Sequence, residues 1–386
     1  MTRVETAIVG GGPAGAAAAC GLAALGRDVV LIERSDAPHH KVCGEFLSVE
    51  TQAQLSRFGI DPVKLGAVAV DRVSIFSGAR SVTAALPFRG LSLSRYRLDD
   101  ALMQRARDRG AVAKRGVSVR SALPGNKGWT LRCDNDETIE CRNLMLATGK
   151  WGLRGIEDER DSSLVGLKMH FRPNADTLRA LTGTVELSLF NSTYAGLELV
   201  EDGIANLALL LPRAVVAGIG PGWQSLHNHL SSALPALAER LRGAEPLWEK
   251  PLAVVCPSGG HLHAEEEQAF RIGDRLAHIP PFTGDGLAIA LTSAALAVEH
   301  IRQGRSPQAY LAAARRLTAT PIRVASLVSR LAASGLGRAA LMRTAIVGPG
   351  LLRVLARQTR LPVPTSAVPS AGQGTQVRLA MRGPKR

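Results

Sequence analysis

An α/β fold that opens with a nucleotide-binding β-α-β unit, carries an inserted and mostly antiparallel sheet, and ends in helices is predicted from three features of the chain. The first is Thr6-Ala-Ile-Val-Gly-Gly-Gly-Pro-Ala-Gly15, closed by Leu31-Ile-Glu33. The second is a set of short strand-like segments, 164–171, 183–190, 196–200 and 205–211, with turn residues between them. The third is a late Gly273-Asp274 pair, followed by Pro280-Pro-Phe-Thr-Gly-Asp-Gly286 and an apolar helical stretch to Arg302.

The apolar run from Thr6 to Val9 reads as a buried parallel strand, and Gly10, Gly12 and Gly15 supply a G-x-G-x-x-G turn. Gly10 permits the tight turn, Gly12 lets backbone approach a pyrophosphate, and Gly15 lets the following helix pack closely on the strand. Pro13 and Ala14 open that helix, whose free N–H groups and positive end face the phosphates. A second strand, 28–32, delivers Glu33 about 20 residues past the turn, where a carboxylate bonds ribose hydroxyls. An acid there repels a 2′-phosphate, so FAD or NAD is expected rather than NADP. Segments 68–76 and 81–86 read as strands that join the later sheet, and helix-forming sequence at 223–242 is expected to cover its outer face. Asp274, at a strand end, is placed to accept hydrogen bonds from a ribityl chain. Gly284, Asp285 and Gly286 open a helix at Leu287 whose N-terminus can stabilise negative charge on a reduced flavin ring.

These motifs resemble the glutathione-reductase-like FAD fold, in the branch shared by geranylgeranyl reductases and class A aromatic hydroxylases. Those families pair an N-terminal G-x-G-x-x-G with a distal Gly-Asp and then Pro-x-x-G-x-G. Lys41-Val-Cys-Gly-Glu45 is similar to the K-x-C-G stretch that passes close to the flavin in geranylgeranyl reductase-like proteins. Ser94-Arg-Tyr-Arg-Leu-Asp99, with Leu102, resembles the R-x-x-x-D-x-x-L helix start whose arginine, here Arg95, reaches the cofactor. Leu144-Met-Leu-Ala-Thr-Gly149 resembles the strand and A-T-G turn that return to the FAD domain. The resemblance covers most of residues 1–300 and implies non-covalent FAD in a Rossmann-like domain. It places Arg34, Lys41, Cys43, Gly44, Val119, Thr148, Gly149, Gly273 and Pro281 at the cofactor, beside the motif residues above. It also implies a discontinuous FAD-binding domain (1–67, 92–155 and 265–302) and a substrate domain (68–91 and 156–264). A C-terminal helical segment (303–361) and a flexible basic tail (362–386) complete the division.

Composition fits an enzyme with one large or two ordinary cores: 386 residues, 46% of them hydrophobic. No run of eighteen apolar residues and no charged-apolar-small leader is present, so a cytoplasmic location is expected, with a peripheral membrane association left open. Five cysteines without metal spacing suit a reducing compartment and point to no metal site. Charge is uneven. Residues 301–386 hold fifteen Lys and Arg and no Asp or Glu, which accounts for the whole formal charge of +14. Arg353, Arg357 and Arg360 recur at helical spacing among leucines, read as a basic amphipathic helix. Its arginines either face water or meet an anionic membrane or a carrier protein. Nucleic acid is not expected, since Tyr310 is the one aromatic residue of the segment.

The chemistry belongs to the flavin, with the protein supplying orientation and electrostatics. A monooxygenase acting with oxygen on an aromatic, polyketide-like or other lipophilic molecule is the favoured reading. A prenyl-alkene reductase and an electron carrier or assembly component stand as alternatives. The reductases' aromatic substrate-channel pattern is degraded here to Tyr194-Ala-Gly-Leu, and the hydroxylases' Asp-Gly pair for NADPH is replaced by Thr148-Gly149-Lys150. NADH or NADPH therefore remains a donor without an evident site. The W-x-W-x-I-P motif of flavin halogenases does not occur, which makes halogenation the least favoured outcome. An apolar substrate pocket is expected from Leu167, Met169, Leu187, Tyr194, Leu207, Pro281 and Phe282. Cys43, Glu45 and His278 are the candidate catalytic groups, with His170 and Lys168 as weaker ones.

Overall fold

The computed structural model describes residues 2–150, 152–153, 163–190, 193–220, 222–256, 268–347 and 360–361. The chain begins β1 (Thr2–Val9), α1 (Pro13–Ala24), β2 (Val29–Glu33), β3 (Phe46–Leu47), α2 (Val49–Arg57), β4 (Val68–Ser77), β5 (Arg80–Ser92) and α3 (Arg95–Asp108). Next come β6 (Val112–Arg115), β7 (Val119–Gly125), β8 (Gly128–Cys133), β9 (Thr138–Leu146), β10 (Leu164–Arg172), α4 (Ala175–Leu181), β11 (Gly183–Phe190), β12 (Thr193–Leu199) and β13 (Ala205–Pro212). It continues through α5 (Arg213–Ile219), α6 (Trp223–Ala233), α7 (Pro235–Leu241), β14 (Glu245–Pro246), β15 (Leu252–Cys256) and β16 (Phe270–Arg271). Three helices close the described chain: α8 (Gly286–Arg302), α9 (Pro307–Ala333) and α10 (Gly335–Val347).

The first sheet has the order β6-β2-β1-β9-β8-β7, with β16 also on β9. β6, β2, β1, β9 and β16 are parallel, and β7 and β8 add an antiparallel ribbon. Parallel strands are covered on both faces, which is why Ala7 to Val9 and Val29 to Ile32 are unbroken apolar runs and fully buried. At the β1–α1 turn, Gly10 has φ +107°, and an added Cβ would stand 2.4 Å from the Ala147 carbonyl oxygen. A Cβ on Gly15 would stand 1.9 Å from the Gly10 carbonyl oxygen, so the helix can sit on the strand end only without a side chain there. Helix α1 is buried from Pro13 to Leu22, and its alanines share one core with apolar residues of α3 and α8.

The second sheet runs β14-β10-β13-β12-β11-β4-β5-β3, with β15 also on β10. It is antiparallel except between β4 and β11. The period of two sorts its residues onto two faces, and both are buried near the site. Register pairs Met169 with Leu207 and Leu207 with Leu197. These residues, with Leu167, pack against Leu226 and Leu230 of α6 and Leu237 and Leu241 of α7. Leu167, Met169 and Leu207 therefore build the core beneath the helices and do not line the pocket expected of them. The opposite face carries Lys168, His170, Asn206, Glu198 and Leu187, since His170 pairs with Asn206, Asn206 with Glu198, and Leu187 with Gly196. The helical stretch expected at 223–242 is two helices, because Pro235 has no N–H to continue α6 and instead starts α7.

The face assignment carries a test. Met169→Ala removes a side chain that is fully buried in the helix-covered core, and should lower urea-unfolding stability by about 2–5 kcal/mol. Leu187→Ala, on the pocket face, should leave stability nearly unchanged. Equal losses from both would contradict the two-face description.

Candidate active site

Between the two sheets lies a cavity of about 680 Å³. The β1–α1 turn contributes Gly10, Gly12, Pro13 and Ala14, the end of β2 contributes Glu33 and Arg34, and the following loop contributes Lys41, Cys43, Gly44 and Glu45. Arg95 and Val119 face it from the starts of α3 and β7. Thr148, Gly149 and Lys150 follow β9, Gly273 and Asp274 follow β16, and His278, Pro281, Gly284, Gly286 and Leu287 lead into α8. Gly15 is not at the cavity surface and works from beneath, as the packing contact under the turn.

These residues fit FAD. An added Cβ at Gly44, Gly149 or Gly286 would meet no atom within 4 Å, so backbone there lies open to a ligand. Helix α1 points its uncapped N-terminus at the cavity, suited to the pyrophosphate, and the first residues of α8 line it too. Glu33 is positioned for a ribose, with Oε2 accepting from the Gly11 N–H at 2.6 Å and Oε1 from the Ser35 N–H at 3.0 Å. Burial disfavours its charge, but Lys41 and these amides outweigh that and hold the carboxyl below its ordinary range. Arg95 makes a two-point ion pair with Asp99, at 2.6 and 2.8 Å, and Lys41 adds a contact of 3.2 Å. The i,i+4 spacing of the Arg95 motif thus preorganises a half-buried guanidinium at the cavity wall. Lys150, a second cation there, is half-buried and donates to the Cys256 thiol at 3.1 Å.

The polar face of the second sheet meets this cavity at Glu45. Its backbone is left-handed, with φ +65°, and its side chain is wholly buried. Oε1 accepts from the Arg95 N–H at 2.7 Å and from the Lys168 ammonium, while Oε2 lies 2.9 Å from His170 Nε2. Burial works against the ionised acid, yet Lys168 and His170 prevail and its pKa lies below the ordinary value. His40 completes the group, its ring centroid 4.9 Å from that of His170 and 5.1 Å from that of Tyr96. Burial, together with the charges of His170 and Lys168, brings His40 down to about 4, so it is neutral. Glu45, His40 and His170 come close enough to hold a metal ion, but the Lys168 ammonium already satisfies the carboxylate and would repel a cation.

A smaller pocket of about 250 Å³ adjoins the cavity through Gly44, Phe46, Pro281 and Gly284. Leu187, Leu189, Tyr194, Ile75 and Phe282 form apolar walls, and α9 and α10 roof it with Val328, Ala332, Leu341 and Met342. One carboxyl lines it. Glu198 is 3% exposed, and burial raises its pKa well above the carboxylate range, so it is neutral. Its Oε2 has no hydrogen-bond partner among the described residues. Sequence reasoning missed Glu198 and Lys150; only the alternation of Glu198 with apolar residues on β12 signals a buried strand acid.

Two expectations change at the far end of the chain. Asp285 does not line the flavin cavity. It is fully buried at the start of α8, where Oδ1 meets Arg360 Nη1 at 2.7 Å. Arg360 accordingly faces neither water nor a lipid surface, and its guanidinium stands 4.6 Å from the centroid of the Phe88 ring. The rest of the basic helix read from Arg353 and Arg357, and the tail from 362, lie outside the described residues.

The Glu45 network carries a pH-dependent test. In Lys168→Met the buried carboxylate loses its cation, and unfolding stability at neutral pH should fall by about 3–5 kcal/mol. Glu45 has a depressed pKa in the native protein, so its contribution exists above the unfolded-state value and fades as pH falls. The deficit of the variant should therefore shrink in mild acid; a deficit independent of pH would exclude this account.

Comparison with known proteins agrees with the cavity. Residues 3–155 match the family model described as FAD binding domain. The menaquinone reductase of Mycobacterium tuberculosis H37Rv is 27% identical over 329 residues, 76% of each chain. That of Mycolicibacterium smegmatis is 29% identical over 160 residues, 38% of each chain. Among solved structures, the flavin-dependent brominase Bmp2 superposes with a TM-score of 0.78 at 16% identity, covering 93% of both chains. PqsL of Pseudomonas aeruginosa, a probable FAD-dependent monooxygenase, gives a TM-score of 0.71 at 13% identity, covering 90% of this chain and 100% of the other. Residues 3–155 are therefore an FAD-binding domain, and the chain as a whole has the fold of these flavoproteins.

Proposed function

We propose that this flavoprotein reduces an apolar, unsaturated molecule of the prenyl-chain or isoprenoid-quinone kind, seated in the smaller pocket. The observation that carries the reading is Glu198, a neutral carboxylic acid with an unpartnered oxygen on the wall of an otherwise apolar slot beside the flavin cavity. Reduced FAD, when bound, supplies a hydride. Reduction of a double bond also requires a proton at the second atom, and Glu198 is placed and protonated to give it. Burial beside the apolar walls keeps that carboxyl protonated. After transfer, Lys168 stabilises the carboxylate that remains, while the charge of Glu45 favours its reprotonation. Glu45 itself is ionised and fully engaged, so its role is to position the loop before α3. Cys43 and His278 line the flavin cavity rather than the slot and are assigned to cofactor contact.

Support for an isoprenoid quinone comes from the name menaquinone reductase, borne by relatives that align over 76% of this chain. Hydroxylation with oxygen, preferred on sequence alone, is the second reading. It is favoured by the aromatic pair Tyr194 and Phe282, with centroids 6.1 Å apart, at a pocket suited to a flat ring.

One experiment separates the two. The FAD-loaded protein, photoreduced without oxygen, is mixed with a short-chain menaquinone and the product is weighed by mass spectrometry. A product heavier by two hydrogens supports reduction; a product that forms only with oxygen and gains an oxygen atom replaces it with hydroxylation. Glu198→Gln should slow reduction roughly 10²–10⁴-fold, with FAD content unchanged. Because the neutral acid is the active form, the wild-type rate should fall as pH rises through the elevated pKa of Glu198, and the Glu198→Gln variant should lose that limb.

A further inference from the structure

The hairpin of α9 and α10 has two working faces. Its inner face roofs the apolar pocket with Val328, Ala332, Leu341 and Met342. Its outer face at the corner exposes three leucines: Leu327 at 54%, Leu331 at 42% and Leu336 at 89%. Leu327 and Leu331 are one helical turn apart, and Leu336 follows across the short turn at Ser334. A leucine exposed to that degree gains nothing from the fold, and three at one corner exceed scattered surface apolarity. Around them, Arg316, Arg323 and Arg330 are exposed on the same side of α9, and Arg343 is exposed on α10. Neither helix contains a carboxylate, and none occurs anywhere from residue 301 onward. Apolar side chains amid unopposed cations suit a surface that is oily within and negatively charged at its edge.

We infer that the α9–α10 corner docks this protein on an anionic phospholipid bilayer, with the three leucines entering the headgroup boundary and the arginines meeting lipid phosphates. No helix among the described residues is long and apolar enough to cross a membrane, so the attachment is peripheral. Docking would bring the substrate pocket within the thickness of one helix, about 10 Å, of the acyl region. The entry of a prenyl substrate directly from the bilayer rests on the function proposed above; the docking surface does not.

The test uses the full-length, FAD-loaded protein and substrate-free vesicles, so its outcome is independent of the reaction catalysed. Co-sedimentation is measured with vesicles of phosphatidylcholine alone and of phosphatidylcholine with phosphatidylglycerol. Binding is expected to the anionic vesicles only, and to weaken with salt. L327S/L331S/L336S should reduce the partition coefficient at least about tenfold, given the apolar area withdrawn from the lipid. Each of Arg323→Gln and Arg330→Gln should reduce it about fivefold. Unchanged flavin absorbance and FAD content show that the variants remain folded. The inference is overturned if the wild type binds neither vesicle, or if the triple-leucine variant binds anionic vesicles as well as the wild type, which would place attachment in the basic C-terminal sequence. It is equally overturned if gel filtration shows a dimer that the triple substitution dissolves while vesicle binding stays absent, since a second copy would then cover the corner.

Discussion

The buried carboxylate of Glu45 is the constraint on which the arrangement of this protein depends. It sits on a loop of the flavin-binding half, it accepts from the first amide of α3, and it is held by Lys168 and His170 of the other sheet. Three parts of the chain that are far apart in sequence are thereby fixed at one atom group. A buried ion pair adds little net stability, because desolvation opposes the Coulomb gain. Its effect is on specificity: any shift between the two sheets leaves a charge unpaired in a place without water. The left-handed backbone at Glu45, strained for a non-glycine residue, is retained because this is the conformation that directs its carboxylate to both partners.

The nucleotide-binding half was legible because its signals are local. The G-x-G-x-x-G turn, the acid at the end of β2 and the Gly-Asp near α8 each express a backbone requirement within a few residues, and the structure lines one cavity with them. The second sheet was legible as strands but not as faces. Alternation in Leu164–Arg172 separates Val165, Leu167 and Met169 from Gly166, Lys168 and His170 without saying which set meets ligand. The habit that polar strand residues face water fails here, since Lys168 and His170 are buried against an acid 123 and 125 positions away. A partner at that distance leaves no mark on local pattern. The same applies to Arg360, which reads as one more cation in a basic segment until Asp285 is placed beside it.

That last pair shows how the C-terminal sequence joins the body. Arg360 forms part of the pocket wall, and Leu361 next to it is buried in the same core as α1 and α8. Burial pushes the Asp285 carboxyl up to about 7 even with Arg360 opposing it. Its contact with Arg360 at 2.7 Å thus ties the start of α8 to the pocket wall.

The two acids on the polar face, Glu45 and Glu198, reveal how one environment supports opposite charge states. Both are almost without solvent, so desolvation raises the pKa of each. Glu45 has a cation, an imidazole and a helix amide within hydrogen-bonding distance, and these overcome the burial. Glu198 has a hydroxyl neighbour, a more distant cation and the like charge of Glu45, and these do not. The ionised acid therefore secures the architecture, and its charge adds to the burial that keeps the second acid protonated. Two carboxyls on one buried face thus hold opposite charge states, and the proton kept on Glu198 is presented to the apolar pocket that it lines.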